Sequence, residues 1–382
     1  MILYTCLALN LTDTKTNLCY IKYMEGNMSK STPGTEQSIE QPNANRRNSG
    51  CLIWLARGAV ALFIFFIVLS LAGLVYQSVG AARDAREFPA AGRLVDIGGR
   101  NVHLYCTGTA IDGRPTVILE TLSGGLSPYW AWVQPEVAQA TRVCSYDRAG
   151  RGWSEFDTEP PTLQRTASDL RAALEAAGET GPYVMVGHSL GGIYVRHFAA
   201  EFADEVSGLV LVDSSHPAQF ERFPELWAES EAFLKYMRTF PFLARLGLFR
   251  LYFDTGGQMD FGDLPERQIA ESAAFLATPN HWRSNLAEMT AAPGIYEEAQ
   301  TLGALGSMPL AVISAGQNQT TGWSELQAEL PELSSNSSHV IVEDAAHASL
   351  AFNEAHARET SAAILAVVEA VKAGRPVQEF LR

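Results

Sequence analysis

The hexapeptide Gly187-His188-Ser189-Leu190-Gly191-Gly192 carries the sharpest chemical pattern in the chain. It follows the apolar run PYVMV and precedes GIYVRHFAAEF, so the spacing G-x-S-x-G predicts a strand, a tight turn and a helix. Glycines on either side of such a serine leave room for a strained turn that exposes the hydroxyl at the amino end of the helix. A hydroxyl so placed suits nucleophilic attack, provided that a base can take its proton. The same glycines do not spell G-x-G-x-x-G, and no C-x-x-C pair is present. Nucleotide, flavin and structural zinc sites therefore have no motif here, and neither a cofactor nor a metal is expected.

The elements that must hold this serine are legible on both sides of it. RLVDIG and NVHLYC alternate as strands around Gly98-Gly99 and read as a hairpin. PTVILE, TRVCSYD, PYVMVG, VSGLVLVD, MPLAVISAG and HVIVED are nearly continuous apolar runs, as expected for strands covered on both faces. Helical patterns separate them: LQRTASDLRAALEAAG, which stops at Gly178, and the closing FNEAHARETSAAILAVVEAVKAG. The alternation predicts an α/β fold with a mostly parallel eight-stranded sheet and helices on both faces. The core takes residues 91–213 and 308–382. Residues 214–307 interrupt it after the sixth strand. This segment is too long for an unstructured loop and is rich in aromatic residues (Trp227, Phe233, Tyr236, Phe240, Phe242, Phe249, Tyr252, Phe253), so it reads as a helical lid.

The amino-terminal part is of a different kind. Of 382 residues with a net charge of −14, residues 1–57 hold six basic and four acidic side chains, leaving 22 basic and 38 acidic in the rest. A small basic tail thus joins a large acidic body, which argues against nucleic acid as a partner. Between them, Gly58 to Tyr76 is apolar, and no charge occurs from Gly58 to Ala82. As a helix the run spans roughly 29 Å, about the thickness of a bilayer core. Residues 51–82 are therefore expected to form a transmembrane signal-anchor in a lipid bilayer. Arginines flank it equally (Arg46, Arg47 and Arg57 against Arg83, Arg86 and Arg93), and the favoured orientation puts the body outside the cytoplasm. Residues 1–50 read as a disordered cytoplasmic tail, with translation beginning at Met24 or Met28.

From about Arg93 onward the chain resembles the α/β-hydrolase superfamily. It is most similar to membrane-anchored or secreted serine hydrolases carrying HLYCTG, CSYDRAGxGWS and VGHSLGG. The matching residues are His103 to Gly108, Cys144 to Ser154, and the serine turn. The resemblance implies a base on the loop after the last strand, where HVIVEDAAH places His347. Imidazole suits the task because it titrates near neutrality. The other candidates are weaker: His339 begins a strand, His356 lies in the closing helix and His188 borders the serine. The resemblance also implies an oxyanion hole from the backbone N–H of Leu190 and one N–H of the loop Glu120-Thr121-Leu122-Ser123-Gly124-Gly125. Ser123 is the choice there and Leu122 the second. Relatives often carry His-Gly at this loop, so the chain departs from them. Asp147 and Arg148 read as braces of the neighbouring loop. In the resembled fold the strands holding Cys106 and Cys144 are neighbours, which implies a disulfide; the alternative is two small buried apolar side chains. Cys6, Cys19 and Cys51 are expected to be unpaired.

The third member of the constellation departs from the usual layout. Most relatives place an acid after the seventh strand, but Gln317-Asn318-Gln319-Thr320-Thr321-Gly322 has no carboxylate. The preceding strand ends in Asp213, which becomes the candidate for orienting His347. The alternatives are that Asp213 braces the turn through N–H groups of Ser214, Ser215 or His216, or that Asn318 holds the imidazole. Glu343 and Asp344 lie too close to His347 in sequence to fold back onto it. Serine, histidine and backbone donors together favour hydrolysis of carboxylic esters of a small apolar substrate through an acyl-enzyme. A C–C hydrolase, an acyltransferase, a peptidase and an inactive binding protein of the same fold are the alternatives.

Overall fold

The computed structural model describes residues 45–317 and 322–381. Residues 1–44 of the tail, with Met24, Met28, Cys6 and Cys19, lie outside the described residues, as do Asn318 and the side chain of Cys51; residues 45–50, read as part of the disordered tail, instead begin a helix continuous with the apolar run. In chain order the elements are α1 (Asn45–Glu87), β1 (Arg93–Asp96), β2 (Asn101–Thr107), β3 (Thr116–Glu120), α2 (Val133–Val137), β4 (Val143–Tyr146) and α3 (Leu163–Ala177). Then follow β5 (Tyr183–His188), α4 (Leu190–Glu201), β6 (Val206–Val212), α5 (Gln219–Arg222), α6 (Pro224–Met237), α7 (Phe240–Arg245) and α8 (Leu248–Asp254). The last are α9 (Glu266–Leu276), α10 (Pro279–Ala299), β7 (Leu310–Ala315), α11 (Trp323–Glu329), β8 (Ser337–Val342), α12 (Ser349–Phe352) and α13 (Glu354–Ala373).

The eight strands form one sheet in the order β1-β2-β4-β3-β5-β6-β7-β8. β1, β2 and β4 pair antiparallel, and all later pairs are parallel. This is the mostly parallel α/β sheet that the apolar runs predict. Two-residue alternation sorts side chains to the two faces. Val117, Leu119, Val184, Val186, Val210, Val212 and Ile313 join a core with α2 and α13. Ile118, Met185, Leu209, Leu211, Leu310 and Val312 join a second core with α3 and α4. Each such side chain contributes about 1.5–3 kcal/mol by leaving water. Thr162 opens α3 by accepting from the N–H of Arg165 at 3.1 Å, a cap worth about 1 kcal/mol.

Between β6 and β7 the chain is helical, from α5 to α10. Its aromatics mostly pack on one another. Phe249 stacks on Trp282 at 4.8 Å between centroids, and Phe240 meets the same indole edge-on at 4.9 Å. Tyr236, Phe242 and Tyr252 are exposed.

The chain divides into two units, residues 5–72 and a body that includes everything from Gly73 onward. In the first, the described residues are the amino-terminal stretch of α1, whose Leu, Ile, Val and Phe side chains are exposed. Helix residues Leu52–Glu87 are long and apolar enough to cross a membrane, by length and composition. The last turns of α1 belong to the body. Asp84 sits 2.6 Å from Arg250 Nη1 of α8, Gln77 Oε1 accepts from Arg250 Nε at 3.0 Å, and Gln77 Nε2 donates to the Ala277 carbonyl at 3.0 Å. Gln77, inside the segment 51–82 read as the anchor, is thus engaged by the body.

Candidate functional site

Ser189 occupies the turn between β5 and α4 with φ 56° and ψ −123°. A non-glycine residue in that region stores about 1–3 kcal/mol, so its surroundings must over-determine it. They do so through the main chain. Ser189 N–H donates to Val212 O at 3.0 Å, and its carbonyl accepts from Ser215 N–H at 2.9 Å and Gly192 N–H at 3.0 Å. The two glycines after it permit close approach. A Cβ on Gly191 would lie 2.6 Å from the Glu120 carbonyl and 2.7 Å from that of Thr121, and one on Gly192 would overlap Ser214 Oγ. The turn is therefore wedged between the loops that follow β3 and β6. Leu190 opens α4, so its N–H is among those a helix leaves without an internal partner.

The loop after β8 brings His347 to Asp213. His347 Nδ1 lies 2.5 Å from Asp213 Oδ2. The other carboxylate oxygen accepts from Trp323 Nε1 at 3.0 Å and from the Ala315 N–H at 3.2 Å. Asp213 is fully buried. Burial pushes its carboxyl upward, but the hydrogen bonds from His347, Trp323 and Ala315 outweigh it and hold the carboxyl below its ordinary value. Asp213 thus stays ionised at neutral pH. An Nδ1–H donated to that carboxylate leaves Nε2 as the free lone pair of a neutral imidazole. Neither oxygen of Asp213 goes to Ser214, Ser215 or His216, the turn-bracing alternative. Asp344 instead lies 3.4 Å from His356 Nε2, and it is exposed.

Two further side chains hold His347. His188 Nε2 lies 3.0 Å from the His347 carbonyl, and the two rings are 4.8 Å apart. Burial first, and the neighbouring His347 second, pull the His188 pKa down to about 3. A neutral His188 therefore donates Nε2–H to that carbonyl. The indole of Trp323 stands edge-on to the His347 ring at 6.2 Å. Neither role has a signature in the sequence. His188 fills the variable position of G-x-S-x-G, and Trp323 follows a loop whose sequence signal lies in its lack of a carboxylate and in Asn318.

The loop after β3 is fastened by buried charge. Arg148 donates to the carbonyls of Thr121 at 2.9 Å and Leu122 at 2.8 Å, and also pairs with Glu120. Because those peptides are planar and trans, the N–H groups of Leu122 and Ser123 face away from the guanidinium. Ser123 Oγ donates to Glu288 of α10 at 2.6 Å, and Gly124 N–H reaches the same carboxylate at 3.2 Å. Glu288 also receives Arg148 at 3.1 Å and Arg151 at 2.8 Å. Burial opposes its charge, yet the two guanidinium groups hold its carboxyl at about 2. Asp147 accepts from Ser127 N–H at 2.7 Å and lies 2.8 Å from His103 Nδ1. Both charged residues thus brace loops, as the sequence reading has them.

Cys106 and Cys144 stand opposite each other in the β2–β4 register and are joined by a disulfide. The carboxyl edge of the central strands therefore gathers Ser189, Asp213 and His347, with Leu190 beside Ser189 and Ser123 on the adjoining loop. Parallel α/β sheets characteristically bind ligands at that edge.

A family model described as Alpha/beta hydrolase family matches residues 121–363, a span holding Ser123, Ser189, Leu190, Asp213 and His347. An uncharacterized protein of Schizosaccharomyces pombe is 28% identical over 277 residues, covering 64% of this chain and 50% of that protein. The chain spans about half the length of the first curated relatives it matches. Among solved structures, the epoxide hydrolase CorEH is similar with a TM-score of 0.55 at 17% identity, over 72% of this chain and 97% of that one. CarC, a serine hydrolase involved in carbazole degradation, is similar with a TM-score of 0.53 at 16% identity, over 72% and 98% of the two chains. At these identities the likeness is one of fold.

Proposed function

The chain belongs to the α/β-hydrolase family, and from that premise we propose that it is a serine hydrolase cleaving carboxylic esters of small apolar molecules through an acyl-enzyme. The carrying observation is the 2.5 Å bond between His347 Nδ1 and a buried, ionised Asp213 at the strand end beside Ser189. In this reading Ser189 Oγ attacks the ester carbonyl while His347 Nε2 takes its proton. Asp213 stabilises the imidazolium so formed. The N–H of Leu190 and one of the loop N–H groups, Ser123 or Leu122, receive the developing oxyanion. Collapse expels the alcohol, which takes the proton from His347. Water, deprotonated by His347, then releases the acid and regenerates the serine. Leu122, Leu190 and Trp323 are buried apolar neighbours of these groups, which supports an apolar substrate. The helices of residues 214–307 act as a lid in this reading, supported by the bonds of Glu288 to Ser123 and to Tyr194 of α4, the latter at 3.3 Å.

A fluorophosphonate probe tests the reaction class. The folded protein should form an adduct that peptide mapping locates at Ser189, and esters of graded chain length should then be turned over. A folded protein without any adduct would sink the proposal and point to an inactive binding domain.

The same reading anchors the body outside the cytoplasm by a single pass. It is supported by the apolar helix and by a disulfide, which persists only in an oxidising compartment. Protease added to sealed cells or vesicles should digest the body from the extracytoplasmic side. Free thiols at Cys106 and Cys144 in non-reduced digests would contradict it.

A further inference from the structure

Helix α4 carries a second polar group that the proposed chemistry does not use. Arg196 is only 4% exposed, and it has no hydrogen bond or ion pair among the described residues. Other buried arginines are matched with acids: Arg148 and Arg151 with Glu288, Arg250 with Asp84. Of the three nitrogens of Arg196, Nε is closed off from water without a partner, which is unfavourable for a charged group. Burial pulls its pKa down only to about 10, so it remains charged at neutral pH.

Arg196 borders a pocket of about 230 Å³, whose wall also includes His216, Gln300, Glu329, Leu330 and Leu333. That space is roughly seven waters' worth, enough for a small molecule. Two more donors reach the wall. His216 Nδ1 accepts from Ala218 N–H at 3.2 Å, so the proton of the neutral ring sits on Nε2. Gln300 is exposed, and its Nε2 gives one hydrogen to the Pro217 carbonyl at 3.5 Å, which leaves the other to offer. The acid in the wall, Glu329, is already held by Arg222, with one bond of 2.8 Å, and also lies 3.5 Å from His216 Nε2. Neither Ser189, Asp213 nor His347 lines the pocket. Arg196 follows Ser189 by two helical turns, about 10 Å along the axis.

We propose that this pocket is a second ligand site, which binds a small oxyanion, a carboxylate or phosphate group, against the guanidinium of Arg196. The planar fork of arginine fits either group through two parallel hydrogen bonds. The Gln300 hydrogen not held by Pro217 supplies a further donor, while His216 Nε2–H faces Glu329.

The test is a calorimetric titration of the full chain in detergent with sodium phosphate, and separately with sodium acetate, at constant ionic strength. At least one anion should bind saturably. A phosphate response alone identifies a phosphoryl group, and an acetate response alone a carboxylate. Arg196→Met should weaken binding tenfold or more, and Gln300→Leu several-fold. Arg196→Lys keeps the charge without the fork and should also bind several-fold more weakly. Ser189→Ala should leave the affinity unchanged, which separates this site from the proposed catalytic one. Absence of saturable binding by both anions overturns the proposal, as does an Arg196→Met protein that binds within twofold of the parent. Should that variant fail to fold, unaltered affinity in both Arg196→Lys and Gln300→Leu overturns it equally.

Discussion

The ring of His188 supports the main chain of His347 across the site, with Nε2 of one 3.0 Å from the carbonyl oxygen of the other. The residue before the candidate nucleophile thus carries the loop that presents the candidate base. This support depends on a histidine that burial and His347 keep neutral.

His188→Phe removes that donor while keeping a ring. The turnover of an ester should fall about 10- to 100-fold, as expected when a positioning contact is lost. The variant also changes the pH dependence of stability. His188 has a pKa near 3 when folded against an ordinary 6.5. Between these values the unfolded chain binds a proton that the folded one refuses. Stability therefore falls as pH drops below about 6.5, with a slope reaching about 1.4 kcal/mol per pH unit from this group. Urea unfolding from pH 7 to 4 should show a shallower loss in His188→Phe. An unchanged slope would refute the assignment.

Ser189→Ala should abolish ester hydrolysis by about 10⁴-fold or more, because members of such a constellation act as a unit. Activity within tenfold of the parent would exclude Ser189 as nucleophile. Ser189→Gly should be equally inactive yet more stable, by about 1 kcal/mol, since glycine tolerates the φ of 56°. Thermal unfolding of the two variants side by side measures the relief.

Asp213→Asn leaves the packing intact but offers His347 Nδ1 an amide in place of a carboxylate. Single-turnover acylation at neutral pH should slow by about 10²- to 10⁴-fold while the protein stays folded. Asn318→Ala, outside the described residues, serves as the control and should leave the rate nearly parental. The reverse pattern would mean that an amide holds the histidine. The folded pKa of Asp213 is depressed, so its stabilising contribution is complete above the ordinary carboxylate range. It is lost as pH falls through the lower folded value.

Glu288→Gln removes the acid shared by Arg148, Arg151 and Ser123. Breaking a buried pair from one side costs about 3–5 kcal/mol, which a lowered urea midpoint at pH 7 would register. The Glu288 carboxyl titrates near 2 when folded against an ordinary 4.5. The parent should therefore lose this contribution as pH falls from about 4.5 toward 2, and the variant should lack that part of the acid dependence. A variant as stable as the parent would leave the network without the energetic role given to it.

Local pattern was enough for some of this protein. Continuous apolar runs determine strands buried on both faces, because burial selects side chains position by position along a strand. G-x-S-x-G between a strand and a helix determines a strained serine turn, because only glycine permits the approach of Gly187 to Gly191 and of Gly191 to Glu120 and Thr121. The uncharged, mainly apolar run of nineteen residues from Gly58 to Tyr76 determines a helix suited to a bilayer. Other features depended on which distant segments meet. Sheet order sets Asp213 at the strand end beside Ser189, and the β8 loop then crosses 134 positions of sequence to bring His347 to it. Trp323 closes on the free oxygen of Asp213 from 110 positions away, and Glu288 reaches Ser123 from 165. No periodicity encodes such pairings, since a hydrogen bond depends on two atoms meeting in space. Arg196 is the extreme case: the sequence shows an arginine on a helix, and only tertiary packing buries it with no acid paired to it among the described residues.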